Sequence, residues 1–556
     1  MAKQALRPVA LALLACAFCI ALVGCHADDN DPKGQAGELN DPVRREHAIG
    51  RLSSLFSERL VAAKGNRSDA AVKQFADDTI EKLSQAYIDH PEDNQNGLKM
   101  LQLMSDMRDP RALPALLKAL EWQAEVSEDH AVTAGATLAT IDVPPGKRAE
   151  VVAKICAALK RVTGPRPVDN RMRKGFIEVL GKMKDKGATA TLVEIALRQD
   201  DSQNFLFNKL AAQQLTKIAD PAAVDALVKA LYLFDPKQPM MRMEEDAEAA
   251  LVAIGKPSLE PLLKAARGEN PDVVKLVELS IESFRRKDQD VAAKMNKNTL
   301  VAREAVLALG RLGMREALDT LIKETTEDDG DRRMTASLAL VSINRDAADT
   351  PKIVAAMTKV YDKSDKQARP QLLVAFRHLY ADEGMPLLLK VAKTHEAELP
   401  PVQMYGWLSY ALMANKDESV VLGPILEKEE LIKPQLLDYQ VALKAAEQCD
   451  KNVQCWLGKL KDKDKIVVRK ATTMLARYAR GNDAAIKGLI ELFSHSDLEV
   501  RNEALSAVDF IAVKGSADAV NKIDALESVE AGRSIWNNFS REALPTRSRL
   551  LSRAAS

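Results

Sequence analysis

The sequence predicts an all-α solenoid of about a dozen stacked helical hairpins. Three observations predict it. A short pattern recurs through most of the chain, with turn residues followed by aliphatic residues at helical spacing. Hydrophobic residues make up 46% of the chain but aromatics only 4%, so Leu, Ala, Val and Ile must supply the buried surface, which suits helices packed on helices. The chain has 556 residues, too many for one ordinary globular core.

DPRALPALLKAL, from Asp109, shows the pattern in full. It returns in degraded form as DPAAVDALVKAL from Asp220, KPSLEPLLKAA from Lys256 and MREALDTLIKE from Met314, then DEGMPLLLKVA from Asp382 and NDAAIKGLIEL from Asn482. A second helical segment precedes most copies, as in AREAVLALGRLG from Ala302, RKATTMLARYA from Arg469 and VRNEALSAVDFIA from Val500. The unit is therefore helix, short turn, helix. Second helices are expected to start near Pro110, Lys147, Gly187, Pro221, Pro257, Arg315, Ala348, Glu383, Glu418, Val453, Asp483 and Ala517. The spacing is roughly 30–40 residues with one larger gap. Small residues such as the Ala and Gly of AREAVLALGRLG allow close helix approach. One hairpin cannot bury its own apolar face, so neighbours must stack.

At 303–312 with Gly313, and at 110–120, the chain resembles HEAT repeats, specifically the short bacterial type named from phycobilisome lyases. The shared motif is Val-Arg, small residues, Ala-Leu-Gly-x-Leu-Gly, then a helix of Ala, Leu and Pro. Asp464 with Val468 and Arg469, and Asp497 with Val500 and Arg501, resemble the family's Asp and Arg at the start of the first helix. The resemblance spans 93–526 and implies a right-handed superhelix in which those residues bond between neighbouring repeats. It also implies a long concave face of the kind that binds proteins or peptides.

The N-terminus reads differently. Lys3 and Arg7 precede an apolar or small run from Val9 to Gly24. That run is short of the roughly 20 residues that span a bilayer as a helix, and has the layout of an export signal. Its end, Leu22-Val23-Gly24-Cys25, resembles the lipobox of bacterial lipoproteins. The resemblance implies cleavage before Cys25, lipid on its sulfur, and anchoring by several acyl chains in the cell envelope. His26 in place of Asp points to the outer membrane. The alternative is an ordinary cleaved signal with an incidental Cys25. The resulting organisation is a signal over 1–24, a flexible tether over 25–40 and a helical cap or divergent repeats over 41–92. Repeats over 93–269, a period-breaking helical insert over 270–299, repeats over 300–528, and a C-terminal cap with a fraying tail over 529–556 complete it.

Few residues suggest chemistry. Lys plus Arg and Asp plus Glu both number 79, so no net basic field exists to hold a phosphate backbone, and nucleic acid is not an expected partner. Cys449 and Cys455 flank DKNVQ at a turn, placed for a disulfide in an oxidising compartment, with free thiols or metal as alternatives. Seven scattered His form no ligand spacing, and solvated or turn positions are expected for nearly all. No catalytic residue, metal site or cofactor is expected. MYGWLSYAL concentrates Tyr405, Trp407 and Tyr410, either as an exposed contact spot or as a bulky core patch, the latter favoured. The expected function is a non-enzymatic, lipid-anchored scaffold that binds envelope proteins or peptides. A lyase-like enzyme handling a chromophore, or a protein binding cell-wall glycan, are the alternatives.

Overall fold

The computed structural model describes residues 28–344, 346–394, 398–427 and 433–554. The export signal and Cys25 lie outside the described residues. Among the described residues there are thirty α-helices, no strand, and one isolated β-bridge between Phe234 and Arg242. No helix among them is long and apolar enough to cross a membrane. The fold is an α-solenoid of HEAT-like helical hairpins.

The chain divides into two compact units. The first, through Ala188 with Asp200–Asn204, holds α1 (Pro32–Gly37), α2 (Arg45–Ala62), α3 (Ala70–Asp89), α4 (Asn94–Met107), α5 (Leu113–Ala119), α6 (Glu128–Thr140), α7 (Arg148–Arg161) and α8 (Pro167–Met183). The second, Thr189–Gln199 with the chain from Phe205, begins with α9 (Thr189–Leu197), α10 (Leu206–Ile218), α11 (Val224–Ala230), α12 (Glu244–Ile254) and α13 (Leu259–Ala266). The insert follows as α14 (Pro271–Lys287) and α15 (Gln289–Ala293). The pairs α16 (Lys297–Leu312) and α17 (Leu318–Glu324), α18 (Gly330–Ile343) and α19 (Thr350–Lys363), and α20 (Arg369–Arg377) and α21 (Met385–Lys393) come next. They lead to α22 (Pro400–Met413) and α23 (Lys416–Leu426), α24 (Lys433–Cys449) and α25 (Val453–Lys459), α26 (Lys465–Tyr478) and α27 (Asp483–Glu491), α28 (Leu498–Ile511) and α29 (Ala517–Glu530), and a closing α30 (Ser534–Ala554).

The second helices, counted with their 3-10 first turns, begin within two residues of every position expected from the repeat. Local chemistry explains the agreement. Asp109 and Asp220 stand in extended backbone and cap the turn by accepting from the amides of Arg111 and Ala222, with Pro at the first helical position. The preceding helix ends on a left-handed residue: Arg108, Lys184, Ala219 or Gly313. First helices pack closely where small residues meet. A Cβ on Gly310 of α16 would lie 2.6 Å from the Ala339 Cα of α18. Asp464 and Asp497 cap α26 and α28. Bonds also run between repeats: Lys465 donates to Asp497 at 2.9 Å, Arg469 to Glu499 at 2.7 Å, and Arg501 to Glu530 at 2.8 Å.

Three expectations are corrected. The tether cannot extend to residue 40. Asp31 caps α1, with Pro32 at its first position, and Leu39 is buried with its carbonyl held by the Arg45 guanidinium at 2.8 Å. Asp-Pro is a helix start, and burial of Pro32, Gln35, Ala36 and Leu39 pins so short an element. The C-terminal segment does not fray after Ser534. It is a 21-residue helix whose Trp536, Phe539, Ala543 and Leu550 are buried. The open concave face is not found in the second unit. There α30 packs against α12 and α16, more than 200 residues earlier, and the first helices of distant repeats meet one another.

Candidate functional site

The inner face of the second unit is sealed by ion pairs between helices far apart in sequence. Glu503 of α28 accepts from Arg377 of α20 at 2.9 Å and from Arg469 of α26 at 2.8 Å, and all three side chains are buried. Burial pushes the Glu503 carboxyl up, but the two guanidiniums outweigh it and hold it below the usual range. His378, next to Arg377, is pushed down to about 3 by burial, with Arg377 adding to the effect. Lys470, fully buried, donates to the carbonyls of Ala411 and Ala414 at the end of α22. Burial drives its ammonium far below the ordinary lysine value.

A second cluster fastens α30. Arg549 donates twice to Asp509, at 3.1 and 2.8 Å, and once to the Arg311 carbonyl at 2.7 Å. Arg553 also pairs with Asp509. Arg311 bridges Glu248 of α12 at 3.3 Å and Glu542 of α30. Burial raises the Glu248 carboxyl to about 7 despite Arg311. These groups are paired with one another and close the face that the repeat pattern alone leaves open.

Exposed apolar side chains of this unit include those of the insert and of the loop before α12. The chain between α11 and α12 doubles back through the Phe234–Arg242 bridge and carries Met240 at its tip, 93% exposed. Phe234 meets Phe284 of α14 at 6.2 Å, and Lys287 donates to the Pro236 carbonyl. Only Val273 and Val277 of α14 are buried, so its second half overhangs the array. Leu279 is 58% exposed, and Val291 of α15 is exposed as well. Glu278 ties the overhang to Lys297 at 3.0 Å, and Glu282 neutralises Arg285 at 2.7 Å. Arg286 and Lys294 are exposed and make no ion pair among the described residues. The result is an apolar ledge whose rim carries Arg286, Lys287 and Lys294 together with exposed Asp288 and Asp290.

The residues singled out in the sequence fall in different places. Tyr405, Trp407 and Tyr410 all lie on α22, but only Tyr405 is exposed. Trp407 is 1% exposed and donates to the Ala392 carbonyl at 3.0 Å, and buried Tyr410 donates to the Glu418 carbonyl at 3.0 Å. Two of the three are thus core side chains. Cys449 and Cys455 are joined as a disulfide across the α24–α25 turn, with Cα atoms 5.3 Å apart. His130 is buried rather than solvated. Sequence reading missed the Arg377–Glu503–Arg469 and Arg549–Asp509 clusters. Their signal was charge on helices that are otherwise small and aliphatic, as in VRNEALSAVDF.

Residues 301–323, from α16 into α17, match the family described as PBS lyase HEAT-like repeat. No curated protein matches the chain. Among solved structures it is similar to an engineered protein, at 17% identity over 95% of this chain and 100% of that one, with a TM-score of 0.27. It is also similar to Kap121p, solved bound to Nup53p, at 14% identity, 97% of this chain and TM-score 0.41. The chain spans 55% of the length of that Kap121p chain. Kap95p, in a structure concerning RanGDP, is similar at 13% identity over 100% of this chain and 86% of that one, TM-score 0.37.

Proposed function

We propose that this chain is a non-enzymatic scaffold that binds proteins or peptides of a bacterial envelope while lipid on Cys25 holds it at a membrane, the outer one by the His26 signal. The observation that carries the binding reading is the ledge of the second unit. Leu279 and Val291 stand exposed on the helices that interrupt the repeat, beside Arg286, Lys287 and Lys294, and Met240 stands exposed on the loop before α12. An insert that served only packing would turn such side chains inward, whereas apolar side chains left exposed on it favour a contact role. The partner expected there is a protein segment with apolar side chains for the ledge and polar groups for its mixed-charge rim. The anchoring reading is supported by the LVGC motif and the apolar run before it.

Two experiments test the reading. Cys25→Ser is expected to move the protein from the membrane fraction to soluble fractions; retention in the membrane overturns the anchor. A photoreactive side chain at Met240 in intact cells is expected to give a discrete protein adduct. A probe at Lys352, exposed on α19, should give none, and Leu279→Glu should abolish the Met240 adduct. Adducts with lipid alone, or with equal yield at both positions, overturn the docking surface.

A further inference from the structure

The first unit contains a cleft of about 340 Å³ between consecutive hairpins, formed by the end of α3, the start of α4, the turn after α5 and the start of α6. Its size is at the lower end of small-molecule sites. One wall is a fixed polar pair. His130 Nε2 lies 2.9 Å from the Asn94 carbonyl, which can only accept, so Nε2 carries the proton. Nδ1 is then the bare nitrogen, and the Tyr87 hydroxyl donates to it at 2.9 Å. Tyr87 has spent its proton and offers its oxygen as an acceptor. Burial favours the neutral ring.

Trp122 also lines the cleft. The Arg161 guanidinium stacks on its ring with 3.9 Å to the centroid and also donates to the backbone carbonyls of Leu120 and Trp122, which fixes the indole in place. The indole N–H makes no hydrogen bond among the described residues and is not sealed in the core. Ser127 accepts the Gln123 amide at 2.9 Å, which leaves its own proton to donate. Two of the three carboxylates lining the cleft, Asp93 and Glu121, are already neutralised, and the third, Glu92, is exposed 3.5 Å from the His90 ring. Asp93 accepts from Arg45 at 2.8 Å, and Glu121 accepts from Lys118 at 2.9 Å and from Lys154 at 2.7 Å. Their remaining lone pairs still accept hydrogen bonds, but they no longer call for a cation. An anion, in turn, would face Glu92, Asp93 and Glu121.

We infer that this cleft binds a neutral, hydroxyl-rich ligand, roughly one or two sugar rings in size, with Trp122 and Ser127 donating and Tyr87 and the paired carboxylates accepting. Hydroxyl groups both donate and accept, and this lining offers both in a fixed arrangement with Asp93 and Glu121 already paired. The site is independent of the ledge, and either can fail without the other.

Titration of the full chain with glucose, maltose and N,N′-diacetylchitobiose, with putrescine and acetate as charged controls, tests the inference. Trp122 fluorescence is the near reporter and calorimetry the second readout. At least one sugar is expected to bind and to perturb the emission. Trp122→Phe, which keeps a ring under Arg161, and Ser127→Ala should each weaken that sugar by roughly three- to tenfold. If Trp122→Phe lowers the melting temperature, Ser127→Ala alone decides. Binding insensitive to Ser127→Ala, binding of putrescine or acetate in preference to the sugars, or no binding of any sugar at millimolar concentration overturns the inference.

Discussion

Glu503→Gln tests the closure of the second unit most directly. The substitution keeps shape and volume but removes the one negative charge shared by Arg377 and Arg469, whose side chains are 5% and 9% exposed. Removing one partner of a buried ion pair typically costs about 3–5 kcal/mol because the remaining charge stays desolvated. Here Arg377 loses its carboxylate while Arg469 keeps Glu499 at 2.7 Å, so the effect should fall within that range. At the low end of roughly 2–4 °C per kcal/mol for large domains, the melting temperature should fall by about 6–10 °C. Tryptophan emission reports it, since Trp407, Trp456 and Trp536 belong to the second unit and Trp122 to the first. The pH dependence carries an independent sign. Glu503 has a folded pKa below its unfolded value, so its contribution is present above the ordinary carboxyl range and is lost as pH falls through the folded value. The variant should therefore lose stability at pH 7 but converge on the wild type in acid. Replacing the whole cluster (Arg377→Met, Arg469→Met, Glu503→Leu) should cost less than the single change, because no buried charge is left over. A loss below about 1 kcal/mol for Glu503→Gln, or a triple variant weaker than the single one, would refute the claim that this cluster holds the face shut.

Three further outcomes follow from named contacts. Glu248, raised to about 7 by burial, is protonated when folded at pH values where the unfolded chain has ionised it. Glu248→Gln should therefore stabilise the protein progressively from about pH 4.5 up to 7 and do little below, as read by chemical denaturation across pH. Ala219 ends α10 at φ 52°, so Ala219→Gly should add about 0.5–1 kcal/mol. Gly313→Ala should destabilise by more than that, because the new methyl would stand 2.6 Å from Arg549 Cδ as well as in a left-handed backbone. Cys449→Ala should cost about 2 kcal/mol in the chain-entropy account of so short a loop, and reduction of the wild type should cost the same.

What the sequence disclosed was whatever each hairpin decides for itself. Asp109-Pro110 and Asp220-Pro221 start their helices through contacts two residues away, and the aliphatic spacing after them sets which face is buried. The N-terminal end of the array was misread for a local reason too: Asp31-Pro32 carries the same cap and first-turn proline, hidden in a stretch with few aliphatic residues. The aromatic run on α22 was readable as mostly core because that helix is apolar nearly all round, although Tyr405 stays exposed. The side chains lining the cleft of the first unit come from four separate elements between Tyr87 and His130, so no motif announces them.

Closure of the second unit belongs to a different order of information. Arg377 and Glu503 are 126 residues apart, and Arg549 reaches a carbonyl 238 residues away. A periodic pattern specifies how each repeat meets the next, and small changes in that geometry accumulate into curvature. Whether the curve meets itself is then decided by a few side chains that break the pattern. On α26 every residue from Ile466 to Ala476 is buried, Arg469 and Lys470 included, so solvent lies on neither side and amphipathicity has nothing to report. Charges placed there can be tolerated only if a distant helix brings the opposite charge or a row of helix-end carbonyls. Glu503 supplies the first and Ala411 with Ala414 the second. With its inner face spent on holding itself together, this unit keeps its exposed apolar side chains on other surfaces, Leu279 and Val291 of the insert among them.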